Sequence, residues 1–221
     1  MEEVTIGIII IIVSILGYVS NWLNWHFLNY KINYLLYYFG AFVHESSHAI
    51  FCLLTGARIS EYKIFVKQPH VSYSNPKLPI IGNLLISIAP ILGGLILLFF
   101  INKYFFMNQY IMPQFSNWKF LLTDLLKFLR QINIMEWKNL ITIFLFLNIG
   151  AMIGPSWQDL KNAWFLIIIL IFISWSFFTH LGLLAVALIL VNIILQIILI
   201  VIISSAKLFH KLVIRNRIIR V

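Results

Sequence analysis

The chain has 221 residues, 62% of them hydrophobic and 10% charged, a balance that excludes an ordinary soluble globular domain. Its formal net charge is +9, but the lysines and arginines are scattered through loops and the C-terminal tail, as contact with anionic lipid requires, and no nucleic-acid partner is expected. The single cysteine, Cys52, rules out an intrachain disulfide.

Met1-Glu2-Glu3 precedes an apolar run that predicts a first membrane span over Val4–Val19. No small-residue cleavage site follows, so this run is expected to be retained rather than removed as a signal peptide. A second span, Tyr34–Thr55, contains His44-Glu45-Ser46-Ser47-His48. Residues four apart share a helix face, so both imidazoles can reach one metal ion. Glu45, between them, stands where hydrolysis needs a general base. Ionisable groups are costly inside a membrane and mark functional positions there. The plain alternative is a few interfacial polar residues that happen to fit the pattern. Cys52, one turn past His48, reads as a packing residue.

From Ile59 to Ser74 the chain is β-branched and aromatic, broken at Gln68-Pro69, which predicts a short β-hairpin. Such a hairpin either borders an active site, its backbone lining a wet cavity, or is an ordinary surface loop. A third span, Leu78–Ile101, carries Pro90 and Gly93-Gly94, suited to bending the helix for water and substrate or to close helix packing. Between Ser116 and Arg130, apolar residues at helical spacing oppose Lys119, Thr123, Lys127 and Arg130. This predicts an amphipathic surface helix with Ser116 as its N-cap, either a connector or a substrate gate.

Spans four to six are expected at Leu140–Ile153, Ala163–Phe178 and Leu181–Ile203, the last two nearly merging at Thr179-His180. The fold class is therefore an all-α polytopic membrane protein of about six transmembrane helices, with a short β-hairpin after the histidine helix. Three parts are expected: an anchor and connector over 1–33, a membrane core over 34–162, and a C-terminal helical hairpin with a basic tail over 163–221. With six spans and the N-terminus inside, ten lysines and arginines fall inside and six outside. Both termini are then expected in the cytoplasm, in a plasma membrane.

Zinc catalysis commonly uses three protein ligands, so a third must join His44 and His48. No further histidine makes a second paired motif. Of the remaining acids, Glu2 and Glu3 are terminal, Asp124 and Glu136 fall on the opposite side, and Glu61 lies in the hairpin. Asp159, after the Gly154-Pro155 break, lies on the same side as the histidines. Ser156 can also N-cap a helix there with Asp159 as its capping-box partner, and a carboxylate at a helix start can still face a metal.

His44-Glu45-x-x-His48-Ala49, Leu54-Thr55-Gly56-Ala57-Arg58-Ile59 with its hairpin-like sequel, Ile88-Ala89-Pro90-Ile91-Leu92-Gly93-Gly94 and the Ser-x-x-Asp of Ser156–Asp159 together resemble the site-2 protease family of intramembrane zinc metalloproteases. The likeness is to its compact branch without a PDZ domain, and covers about 44–160. The Asn-x-x-Pro…Leu-Asp-Gly signature is missing, Asn148 stands eleven residues before Asp159, and Ser47 replaces a common glycine. The resemblance implies a Zn²⁺ ion held by His44, His48 and Asp159, Glu45 as general base, and hydrolysis of a transmembrane or membrane-anchored protein substrate within the bilayer. Two other classes remain: a non-proteolytic zinc-binding regulatory protein, against which the intact Glu45 speaks, and a metal or proton transporter, against which the lack of an inverted repeat speaks.

Overall fold

The computed structural model describes residues 5–28, 30–64, 66, 69–101, 103, 120–131, 133, 135–173 and 176–218. Along the chain these form α1 (Ile6–Phe27), α2 (Tyr30–Thr55), β1 (Ile59–Lys63), β2 (His70–Tyr73), α3 (Pro79–Phe100), α4 (Leu121–Gln131), α5 (Trp137–Met152), α6 (Trp157–Leu170) and α7 (Ser176–Ile218). The expected cap at Ser116 lies outside the described residues. The expected amphipathic helix is present as α4, with Leu125 and Phe128 buried in the main core and Leu122 and Leu126 exposed.

Among the described residues, three helices are long and apolar enough to cross a membrane: Ile6–Phe27, Pro79–Phe100 and the His180–Phe209 stretch of α7. A fourth crossing arises if α5 and α6, bent by 66° at their junction, are taken as one broken span. The chain is an integral membrane protein, but the six expected crossings are not what these residues show. α2 has the length, at 26 residues, and falls short through the polarity of His44–His48. The expected fifth span is cut short because α6 stops at Leu170 and the chain turns before α7 begins.

Helix directions follow from the small residues at their contacts. A Cβ at Gly7 would come within 2.6 Å of the Ile167 carbonyl oxygen, and one at Gly17 within 3.2 Å of the Gly154 Cα. α1 thus lies against α6 near its start and against the α5–α6 junction at mid-length, the close approach that glycine permits between membrane helices. Gly182, early in α7, abuts Ile9, while Asn192 and Gln196 both reach Ser20, at 2.7 and 2.9 Å. Leu28, just past α1, packs with Leu195, Leu199 and Ile200. α1 and α7 therefore run parallel, and where both cross the bilayer their far ends emerge on opposite faces.

The α2–β1 turn shows how the site-bearing helix is ended. Gly56 adopts φ +73°, the left-handed region where glycine carries no Cβ penalty. Its N–H reaches the Leu53 carbonyl at 3.2 Å and the Ala57 N–H reaches Cys52 at 2.8 Å, the paired bonds of a Schellman cap. Cys52, Ala57 and Ile86 close a small apolar cluster over it, the packing role expected of the cysteine. The expected hairpin then forms. β1 and β2 are antiparallel, with Tyr62 opposite Val71, Lys63 opposite His70, and a register shift between Ile59 and Glu61.

Candidate metal centre

α2 is aligned against α3 and α5 by two glycines. A Cβ at Gly93 would collide with the side chain of Ser47, whose hydroxyl donates back to the Val43 carbonyl at 2.6 Å. A Cβ at Gly40 would collide with the Asn148 carbonyl and lie 2.7 Å from Met152 Cγ. Gly94 packs against Ile149 and Ile153, so among the two alternatives for Gly93-Gly94 the structure shows close packing.

This alignment puts two backbone carbonyls against the histidines. His44 Nδ1 lies 2.6 Å from the Met152 carbonyl oxygen and His48 Nδ1 lies 2.8 Å from that of Ile86. A carbonyl only accepts, so each Nδ1 donates and each Nε2 is left to hold a cation or a proton. The two Nε2 atoms face one another at 3.1 Å, where two lone pairs repel unless a cation lies between them. Tetrahedral zinc, with Zn–N of about 2.0–2.1 Å, sets neighbouring nitrogens roughly 3.3 Å apart.

Asp159 completes the group. Its Oδ2 lies 3.5 Å from His48 Nε2, and one ligand atom from each of His44, His48 and Asp159 fits within a mutual 4.8 Å. All three residues are buried. The Ser156 backbone N–H and hydroxyl both donate to Oδ2, at 2.8 and 2.6 Å, while that hydroxyl accepts from the Asp159 N–H at 3.2 Å. The capping box thus coexists with a carboxylate that faces the His48 imidazole. Ser87 from α3 donates to the Asp159 carbonyl at 2.9 Å, tying α3 to the start of α6. Two neutral imidazoles and one carboxylate, each fixed by a further hydrogen bond, fit a divalent zinc ion.

Glu45 is half-buried and lines the same cavity, of about 1110 Å³, as the three ligand candidates. The Val71 backbone N–H of β2 donates to its carboxylate. Sequence reasoning missed much of the remaining wall. Ser14, Tyr18 and Asn21 of α1 face the cavity. Their i, i+4, i+7 spacing in an otherwise apolar helix was the available signal. Asn83 of α3, His70 and Tyr73 of β2, and Asn162 of α6 also line it. Tyr62 bonds Ser46 at 2.8 Å, anchoring β1 to the motif itself. Asn148 is buried and donates to Phe144 within its own helix. Glu61 pairs with Lys63 and His70 rather than joining the ligand cluster.

A bundle of membrane-crossing helices with two histidines and an aspartate converging beside a glutamate-bearing cavity defines the class of membrane-embedded metallopeptidases. A family model described as Peptidase M50B-like matches residues 8–181, and the chain belongs to that peptidase family, the site-2 protease family that the motif resembles. No curated protein and no solved structure matches it.

Proposed function

We propose that the protein is an intramembrane zinc metalloprotease, with His44, His48 and Asp159 as ligands and Glu45 as general base. The observation that carries this reading is the pair of Nε2 atoms facing each other at 3.1 Å beside the Asp159 carboxylate. When bound, zinc would lower the pKa of water toward neutrality and polarise the scissile carbonyl. Glu45 takes a proton from the attacking water as the water oxygen bonds to the carbonyl carbon. It then returns that proton to the amide nitrogen as the C–N bond breaks.

The hairpin supports a role in holding substrate. Pro69 to Tyr73 line the cavity whereas no residue of β1 does, so the edge of β2 is the one an extended segment would join by strand addition. The cavity's amide and hydroxyl groups, Asn21, Asn75, Asn83 and Asn162 among them, suit an unwound backbone that must satisfy its own polar groups inside a bilayer.

Residence in the plasma membrane is part of this proposal. With α1 and α7 parallel, Lys103, Lys127, Arg130 and Lys138 share an end of the bundle with the Lys207 end of α7, against Arg58, Lys63 and Lys77 at the other. The positive-inside rule then places the C-terminal end in the cytoplasm and the N-terminal end outside. Replacing Glu45 with Gln tests the catalytic reading: cleavage of a membrane-protein substrate should stop while zinc stays bound. Retained cleavage removes the base assignment.

A further inference from the structure

We propose that His70 is a further catalytic residue of this site: its imidazole, braced by Glu61, stabilises the negative charge that develops on the scissile carbonyl oxygen. The inference rests on the hydrolase reading above. It starts from the carbonyl oxygen, where zinc, when bound, would supply one positive group and a further donor from the cavity wall adds to the stabilisation of the developing charge. Among the described residues lining the cavity there is neither lysine nor arginine, and besides the two ligand histidines His70 is the one side chain able to carry positive charge. It stands on β2, in the wall of the cavity that Glu45 also lines.

The brace is built across the hairpin. Lys63 and His70 are cross-strand partners. His70 Nε2 lies 3.1 Å from Glu61 Oε2, while the Lys63 ammonium contacts Oε1 of the same carboxylate. A carboxylate accepts only, so Nε2 holds a proton and the ring is fixed in orientation. At 45% and 41% side-chain exposure such a pair adds little to stability. Its consequence is positional, as an oriented imidazole at the cavity wall. The electron balance is closed. As the water oxygen bonds to carbon, the carbonyl π pair moves onto oxygen and is held by the Nδ1–H of a doubly protonated His70, whose Nε2–H stays on Glu61. When the C–N bond breaks, that pair re-forms the carbonyl and His70 keeps its proton throughout.

The test uses the full chain, zinc-loaded in detergent micelles, as wild type, His70→Ala, His70→Gln and Glu61→Gln. Two probes are applied: a fluorogenic lysine-flanked hydrophobic peptide, and a phosphonate peptide whose tetrahedral P–O⁻ mimics the charged carbonyl oxygen. His70→Ala should keep its zinc and lose about 10²-fold in kcat, the typical loss of an oxyanion donor, with KM moving much less. His70→Gln, which retains an N–H donor, should recover part of that loss. As a positioning residue, Glu61 should show a smaller kcat loss on conversion to Gln, again with KM nearly constant. The phosphonate should bind His70→Ala at least tenfold more weakly than wild type. Equal phosphonate affinity, or an unchanged kcat with zinc retained, overturns the assignment. A wild-type protein that binds the phosphonate but cleaves nothing overturns the hydrolase reading instead and leaves the His70 contact to be judged by binding.

Discussion

Gly40→Ala is a methyl added far from any reacting atom, yet it should cost the protein its metal. The new Cβ would lie 2.7 Å from Met152 Cγ and closer still to the Asn148 carbonyl oxygen. Ordinary contact needs about 3.4 Å or more, so α2 and α5 must part by roughly 1 Å or somewhat more, an overpacking that costs ~1–3 kcal/mol. The Met152 carbonyl that fixes His44 Nδ1 at 2.6 Å rides on the displaced helix. Losing such an outer partner weakens metal binding about 10–100-fold. Zinc affinity measured by chelator competition in micelles should therefore fall within that range, beside a lowered melting temperature. Gly7→Ala is the control: its Cβ would meet the Ile167 carbonyl at 2.6 Å, away from the ligands, and should cost stability without changing zinc affinity. If Gly40→Ala binds zinc as wild type does, the α2–α5 approach does not hold the ligand and the reasoning is wrong.

Ser156→Ala removes both the cap and a donor to Asp159 Oδ2; a loss of about 1 kcal/mol in unfolding free energy and a weaker hold on zinc by about 10-fold or more should appear together in denaturation and competition assays. Gly56→Ala forces a Cβ into φ +73° and should destabilise by about 1–2 kcal/mol, read as a drop in melting temperature. Glu61 is held below the usual carboxylate range by the Lys63 side chain first and His70 second. With a folded pKa below the unfolded one, its contribution is present above the unfolded value and is lost as pH falls through the folded one. Hydrogen exchange of β1 and β2 amides should show protection constant from neutrality down to about pH 5 and declining in the acid range below the unfolded carboxylate value of about 4.3. Epitope tags at the two termini of the chain in sealed vesicles should be digested from opposite sides; digestion from one side would contradict the parallel course of α1 and α7.

The ligand cluster was legible because its chemistry is encoded locally. His44 and His48 are spaced by one helical turn, and the Gly154-Pro155-Ser156 break marks where Asp159 begins a new helix. The hairpin was legible from its β-branched and aromatic residues and the break at Gln68-Pro69. The number of crossings was not, because hydropathy registers how apolar a run is and not where the chain bends. α5 and α6 read as parts of two spans, whereas Gly154-Pro155 turns them into one bent unit. The Met152 and Ile86 carbonyls are backbone groups available at any residue, so nothing in sequence marks them as partners of His44 and His48. His70 escaped because its partners, Glu61 and Lys63, become neighbours only once the hairpin register is set.

The most direct measurement is the zinc content per chain, by mass spectrometry, of detergent-purified wild type beside His44→Ala and Asp159→Ala. One zinc per chain in wild type, lost or weakened in both variants, is the expected result. No zinc in wild type after metal supplementation, or full occupancy in the Asp159→Ala variant, would contradict the three-ligand site on which the account is built.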